Sequence, residues 1–176
     1  MIDRRPAAIA VCANRADVAA TLRFAAEAGL NVTVRGGGHS VGGLPIQENT
    51  LLIDLAGMRA VDIDARHGRA SVAGGALWRD FDAVAGAFGL ATTGGLISST
   101  GVGGLTLGGG IGWLVRKYGL ASDNLLAAEV VLANLAWIDE LDIEGWLLAM
   151  GAAIGIGAAI WLFVGPFWLV LAASLY

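Results

Sequence analysis

The stretch VRGGGHSVGG, Val34 to Gly43, sets five glycines around one of only two histidines in a chain of 176 residues. Glycine costs roughly 0.5–1 kcal/mol relative to alanine in a regular element, so this run reads as a loop whose task needs bare backbone. It follows NVTV (Asn31–Val34), a short β-rich run. A strand that ends in consecutive glycines exposes main-chain N–H groups without Cβ shielding, and a concave set of such donors suits a pyrophosphate. Neither familiar phosphate loop is present. The Walker form ends in Gly-Lys-Ser/Thr, and no lysine occurs here. The dinucleotide fingerprint opens a helix and has an acidic residue about 20 positions on, whereas the candidate Asp54 lies in a strand. Glycine spacing alone leaves a phosphate cradle and a structural turn both open.

Outward from the loop, the periodicity alternates between helix and strand. Asp17–Gly29 reads as an amphipathic helix with Val18, Leu22 and Ala25 on one stripe and Gly29 as its stop. Thr50–Leu55 is a continuous apolar strand of the kind buried on both faces. Ala60–Ile63 and Arg69–Ala73 read as strands joined by a turn at Arg66-His67-Gly68, and Ala127–Ala133 as a last strand. Ala76–Phe88 reads as a helix whose apolar face carries Trp78, Phe81, Val84, Ala85 and Phe88. Gly94–Leu114 holds nine glycines in 21 residues, interleaved with Leu, Ile, Val and Trp, which fits a buried loop and helix with close backbone approach rather than a flexible linker. The fold class expected is α+β.

Composition narrows the function. The net charge of −4 provides no basic field for nucleic acid. The single cysteine, Cys12, rules out an internal disulfide and a thiolate metal cluster. The opening MIDRRPAAIAVCANRAD returns to charge too soon for a secretory signal.

Three motifs in order, RGGGHS (Arg35–Ser40), LLIDLAGMRAV (Leu51–Val61) and TGVGGLTLGGGIGWLVRKYGLASDN (Thr100–Asn124), resemble the PCMH-type FAD-binding domain of the flavoprotein oxidases related to vanillyl-alcohol oxidase, berberine bridge enzyme and 6-hydroxynicotine oxidase. The resemblance runs from about Pro6 to Ala133. It implies that Arg35, Gly36, Gly37, Gly38, His39 and Ser40, with Gly42 and Gly43, wrap the FAD pyrophosphate. It implies that Thr100, Gly101, Gly103 and Gly104 line the opposite wall, with Gly94 and Gly95 beside them. In that family the histidine of RGGGH bonds covalently to the methyl carbon on the flavin's benzenoid ring, which makes His39 the attachment point. Some members add a second bond from a cysteine, and that position is Ile97 here, so at most a single histidyl link is expected. The plainer alternative for His39 is a loop histidine bonded to a backbone carbonyl. His67 reads as solvated surface, Trp78 and Trp113 as core, Asp123 and Asn124 as turn caps, and Asp54 as a strand-end residue satisfying backbone groups.

The pattern breaks at Asn134. All charged side chains lie at or before Glu144. The expected organisation is a truncated FAD-binding domain over 1–133, an acidic linker over 134–144, and an apolar segment over 145–176 read as a single transmembrane helix. Gly145–Val164 has the roughly 20-residue length that crosses a bilayer, with Trp146 near one end and Trp161, Trp168 and Tyr176 toward the other. Gly151, Gly155 and Ala159 make a small-residue face suited to helix–helix self-association. The resulting expectation is a membrane-localised, FAD-linked oxidoreductase of alcohol, amine or sugar carbons, with FAD and the lipid bilayer as partners. The alternative is a flavin-domain fragment without turnover, acting as a membrane-anchored or partner-dependent binding module.

Overall fold

The computed structural model describes residues 3–131, 137–142 and 170–175. Its first layer is a three-stranded parallel sheet of β1 (Ala8–Val11), β2 (Asn31–Arg35) and β3 (Thr50–Asp54), in the order β1-β3-β2. All five residues of β3 are buried, which explains its unbroken apolar character: it is paired on both sides, with Leu52 opposite Ile9 and Thr33. Between β1 and β2 runs α1 (Arg15–Ala28). Asn14 caps its start by accepting the Asp17 N–H at 3.0 Å, and Gly29 ends it in the left-handed conformation at φ 63°. The buried stripe Val18, Ala19, Leu22 and Ala25 joins Val32, Leu51 and Ile53 in one core cluster.

A second, antiparallel sheet contains β4 (Val61–Asp64), β5 (Arg69–Val72), β6 (Leu125–Val131), β7 (Trp137–Asp142) and β8 (Val170–Leu175), in the order β4-β5-β8-β6-β7. Over it lie α2 (Trp78–Gly86) and α3 (Val102–Leu107), followed in the chain by the single turn α4 (Val115–Tyr118). Trp78, Phe81 and Ala85 of α2 meet Val72 and Val102 in a second core cluster, with Trp78 and Phe81 packed edge to face at 5.6 Å. Val131 of β6 belongs to the first cluster, so the two layers share a seam.

Two expectations are corrected here. Among the described residues no helix is long and apolar enough to cross a membrane. The end of the segment read as a transmembrane helix is instead β8, an inner strand paired with β5 on one side and with β6 from Val131↔Val170 to Leu125↔Leu175 on the other. An uncharged apolar run satisfies an inner strand as readily as a bilayer, and periodicity does not separate the two. The membrane localisation and bilayer contact inferred from that helix fall with it. The remainder of the segment, including Gly151, Gly155 and Ala159, lies outside the described residues. β7 falls inside the stretch read as an acidic linker and forms an edge of the sheet, a place where charged residues discourage further strand pairing. The second correction is Trp113, which is 85% exposed rather than core.

Candidate functional site

The first glycine run leaves the C-terminal end of β2, and the second leads into α3. The two cross in contact. A Cβ built on Gly37 would stand 2.2 Å from the Gly101 nitrogen and 2.5 Å from its Cα, and one on Gly101 would stand 2.5 Å from the Gly37 nitrogen. No side chain fits at either residue, so the bareness of both is a steric requirement of the crossing. Gly38 turns the chain at φ 73°, a conformation that glycine adopts without strain. Leu77, at the head of α2, bridges to Gly101, and Thr100 accepts the Trp78 N–H at 2.9 Å. The crossing is therefore anchored to the backbone at the start of α2.

Beside it is a cavity of about 280 Å³ lined by Arg35, Gly36, Gly37, Gly38, Ala56, Arg59, Gly75 and Leu77. Among the described residues, none of the backbone N–H groups of Gly36, Gly37, Gly38, His39 and Ser40 reaches a protein acceptor. The Gly103 and Gly104 N–H groups in the first turn of α3 are likewise without one, while Val102 donates to Ala76 at 2.9 Å. Gly36 and Gly37 are half-buried and Gly38 to Ser40 exposed, so these five consecutive main-chain donors are open to an acceptor from outside the chain.

Two ion pairs hold guanidinium groups at this cavity. Arg35, the last residue of β2, donates from Nη2 to Oδ2 of Asp54, the last residue of β3. Asp54 also accepts the Ala56 N–H at 3.1 Å. Burial works to raise the Asp54 pKa, but these bonds outweigh it and hold the carboxyl below its ordinary value. Arg59 grips Asp80 with Nε at 3.0 Å and Nη2 at 2.9 and 2.8 Å, and Asp80 accepts the Leu77 N–H at 2.8 Å as it caps α2. There too burial pushes upward, yet the Leu77 N–H and Arg59 leave Asp80 lowered. Neither carboxylate lines the cavity; both arginines do.

His39 reaches across to the second glycine segment. Its Nε2 lies 3.0 Å from Ser99 Oγ and its Nδ1 3.5 Å from Thr100 Oγ1. The imidazole is exposed and held by side-chain hydroxyls, not by a backbone carbonyl. Arg35 to His39 and Thr100 to Gly101 are thus brought together. Ser40, Gly42 and Gly43 form the following turn, in which Gly43 donates to the Ser40 carbonyl at 3.1 Å and Leu44 to Ser40 Oγ at 3.2 Å. Gly94 and Gly95 pack on Trp78 instead of the cavity, with a Gly94 Cβ position 2.7 Å from the indole. Of the plainer assignments, Asp123 and Asn124 do cap their turn, and His67 is exposed beside Asp64. Sequence reasoning missed Arg59 and Ser99; Arg59 sits within the second quoted motif, but its partner Asp80 lies 21 residues away, and no local signal links them.

A larger cavity of about 490 Å³ opens between the β4–β5 turn and the end of α2, lined by Phe81, Leu90, Thr93, Leu114 and Tyr118 among others. It shares no residue with the glycine crossing, whereas Gly36, Gly37 and Gly38, whose N–H groups have no protein acceptor, line the smaller cavity, which is therefore the candidate site. At about 280 Å³ it is smaller than pockets that enclose a whole ligand, roughly 300–1,000 Å³.

Comparison with known proteins places the chain in a family. Residues 6–136 match the family model described as FAD binding domain. The chain is 42% identical over 131 residues to (R)-6-hydroxynicotine oxidase of Paenarthrobacter nicotinovorans, covering 74% of this chain and 29% of that protein. It is 33% identical to glucooligosaccharide oxidase of Sarocladium strictum, covering 85% of this chain and 31% of that one. Among solved structures, 6-hydroxy-D-nicotine oxidase from Arthrobacter nicotinovorans superimposes with a TM-score of 0.82 at 34% identity, over 98% of this chain and 36% of that one. The chain thus spans about a third of the length of the relatives it matches.

Proposed function

The chain belongs to the FAD binding domain family, whose relatives here are FAD-linked oxidoreductases, and from that premise we propose that the glycine crossing seats the FAD diphosphate and that His39 tethers the flavin. The observation that carries the reading is the row of acceptor-free N–H groups from Gly36 to Ser40, whose first three residues line a cavity that two guanidinium groups also line and no carboxylate does. Such a row satisfies an anion's oxygens without side chains. The cofactor-binding unit takes in the two sheets, with β7 and β8 completing the second one.

The bound flavin supplies hydride acceptance from an alcohol, amine or sugar carbon and re-oxidation by dioxygen. The chain's residues bind and orient it. Gly36 to Ser40 would hold the diphosphate through their N–H groups. Arg35, set by Asp54, stiffens the exit of β2. His39, held between Ser99 and Thr100, would be the residue that tethers the flavin; neutral imidazole is a competent nucleophile near pH 7. A tether from a His39 ring nitrogen to the flavin's benzenoid methyl carbon would be a two-electron oxidation, for which dioxygen would be the terminal acceptor.

The test is acid precipitation of the purified chain. Yellow colour that stays with the polypeptide, and moves to the supernatant in His39→Ala, is the expected result. A colourless chain from cells with ample FAD overturns the proposal, and colour released equally from wild type and His39→Ala overturns the tether alone.

A further inference from the structure

Arg59 belongs to none of the glycine segments, yet it forms one wall of their cavity. It stands on the connection between β3 and β4, which is closed by Met58 donating to the Leu55 carbonyl at 2.8 Å and Gly75 donating to Met58 at 2.9 Å. Its side chain is 40% exposed, and Nη1 makes no hydrogen bond to a described residue, since the grip on Asp80 uses Nε and Nη2. A guanidinium whose one edge is fixed by a carboxylate presents its remaining donors in a set direction, an arrangement suited to phosphate oxygens. The fixing is linked to the glycine crossing itself. Asp80 holds the Leu77 N–H, Leu77 bridges to Gly101, and the Leu77 side chain lies 3.1 Å from where a Gly37 Cβ would be.

We propose that Arg59 is a second anion-holding residue of this cavity, its guanidinium set by Asp80 to contact the cofactor's diphosphate alongside Gly36–Gly38. Asp80 is a positioning residue in this scheme: it touches no ligand and acts through Arg59. The inference rests on the reading of the cavity as the FAD diphosphate seat. It goes beyond that reading by assigning a charged contact, and so a salt-dependent share of the affinity, to a residue outside the glycine motifs.

The experiment is calorimetric titration of the full chain in a His39→Ala background, which cannot tether flavin, using FAD, ADP and riboflavin as ligands. Arg59→Gln is expected to weaken FAD and ADP by about ten- to a hundredfold, the range of a lost charge-assisted hydrogen bond, and to leave riboflavin unchanged. Arg59→Lys recovers part of the loss. Asp80→Asn weakens ADP less than Arg59→Gln and leaves riboflavin unchanged. The ADP affinity of the His39→Ala chain falls more steeply with salt than that of the chain also carrying Arg59→Gln. Circular dichroism of each variant confirms folding, and the ADP-to-riboflavin ratio separates a lost contact from general loosening. ADP binding that Arg59→Gln leaves intact overturns the assignment of Arg59 while sparing the diphosphate seat. Failure of the His39→Ala chain to bind either FAD or ADP overturns both.

Discussion

Replacing Gly37 by alanine puts a methyl group where the structure has no room. Its carbon would lie 2.2 Å from the Gly101 nitrogen and 2.5 Å from the Gly101 Cα, about 1.2 Å short of ordinary contact at 3.4 Å. The obstacle is backbone, anchored by the Thr100 bond to Trp78 and by Val102 donating to Ala76, both at 2.9 Å, so it does not swing aside as a side-chain tip would. Overpacking of this kind costs about 1–3 kcal/mol. At about 2–3 kcal/mol, the melting temperature falls by about 4–12 °C for a chain of this size. Gly104→Ala is the matched control. It lies in the other glycine segment, inside α3, and a Cβ there meets nothing within 4 Å. Alanine gains up to about 1 kcal/mol over glycine in a helix, so this variant melts at or above the wild-type temperature. Thermal unfolding of the cofactor-free forms by circular dichroism reads both. FAD quenching of tryptophan fluorescence then shows whether opening the crossing also weakens the site. A Gly37→Ala protein that melts with the wild type refutes the crossing, and equal losses for the two variants refute the claim that the two glycines differ in kind.

The other expectations are independent of that one. Asp54→Asn removes the partner of a part-buried arginine and costs about 1–3 kcal/mol near neutral pH; because the folded Asp54 pKa is lowered, its contribution is full above the unfolded value of about 3.9 and is lost as pH falls through the lower folded value, so urea unfolding from pH 7 to 3 shows the wild-type advantage shrinking with acid. Gly94→Ala drives a methyl to 2.7 Å from the buried Trp78 indole and costs about 1–3 kcal/mol, with a changed near-ultraviolet circular dichroism signal. Cys12 is buried, and burial raises its thiol pKa, so a thiol-labelling reagent at pH 8 modifies it in urea and not in the native chain.

How far the fold was legible depended on whether each signal was local. The α1 stripe with its Gly29 stop, the fully buried β3 and the α2 face around Trp78 all announce themselves within a dozen residues, and the structure has them within a few residues of the expected bounds. The four-residue β1 escaped because it is an edge strand with Ile9 and Val11 more than half exposed, leaving no alternation to read. β8 was missed because hydropathy measures what a residue avoids and not what covers it: sheet and bilayer look alike to an uncharged run. Trp113 illustrates the same limit, since a large apolar residue after a glycine series is 85% exposed.

The site was legible only in halves. Each glycine run shows in sequence that bare backbone is needed there, but that Gly37 and Gly101 need it of each other follows from tertiary contact. The resemblance to flavoprotein oxidases brought the two runs together before the geometry did. Neither it nor the periodicity pointed to Arg59, because the pairing with Asp80 joins a loop to a helix start through side chains alone.

The central claim is tested most directly by titrating ADP into the ¹⁵N-labelled chain and following backbone amides by NMR. The account predicts that the amide protons of Gly36 to Ser40 move downfield together and saturate with a single affinity, as free donors acquire phosphate acceptors. Shifts confined to the larger cavity around Leu90 and Thr93, with Gly36 to Ser40 unmoved, would contradict it.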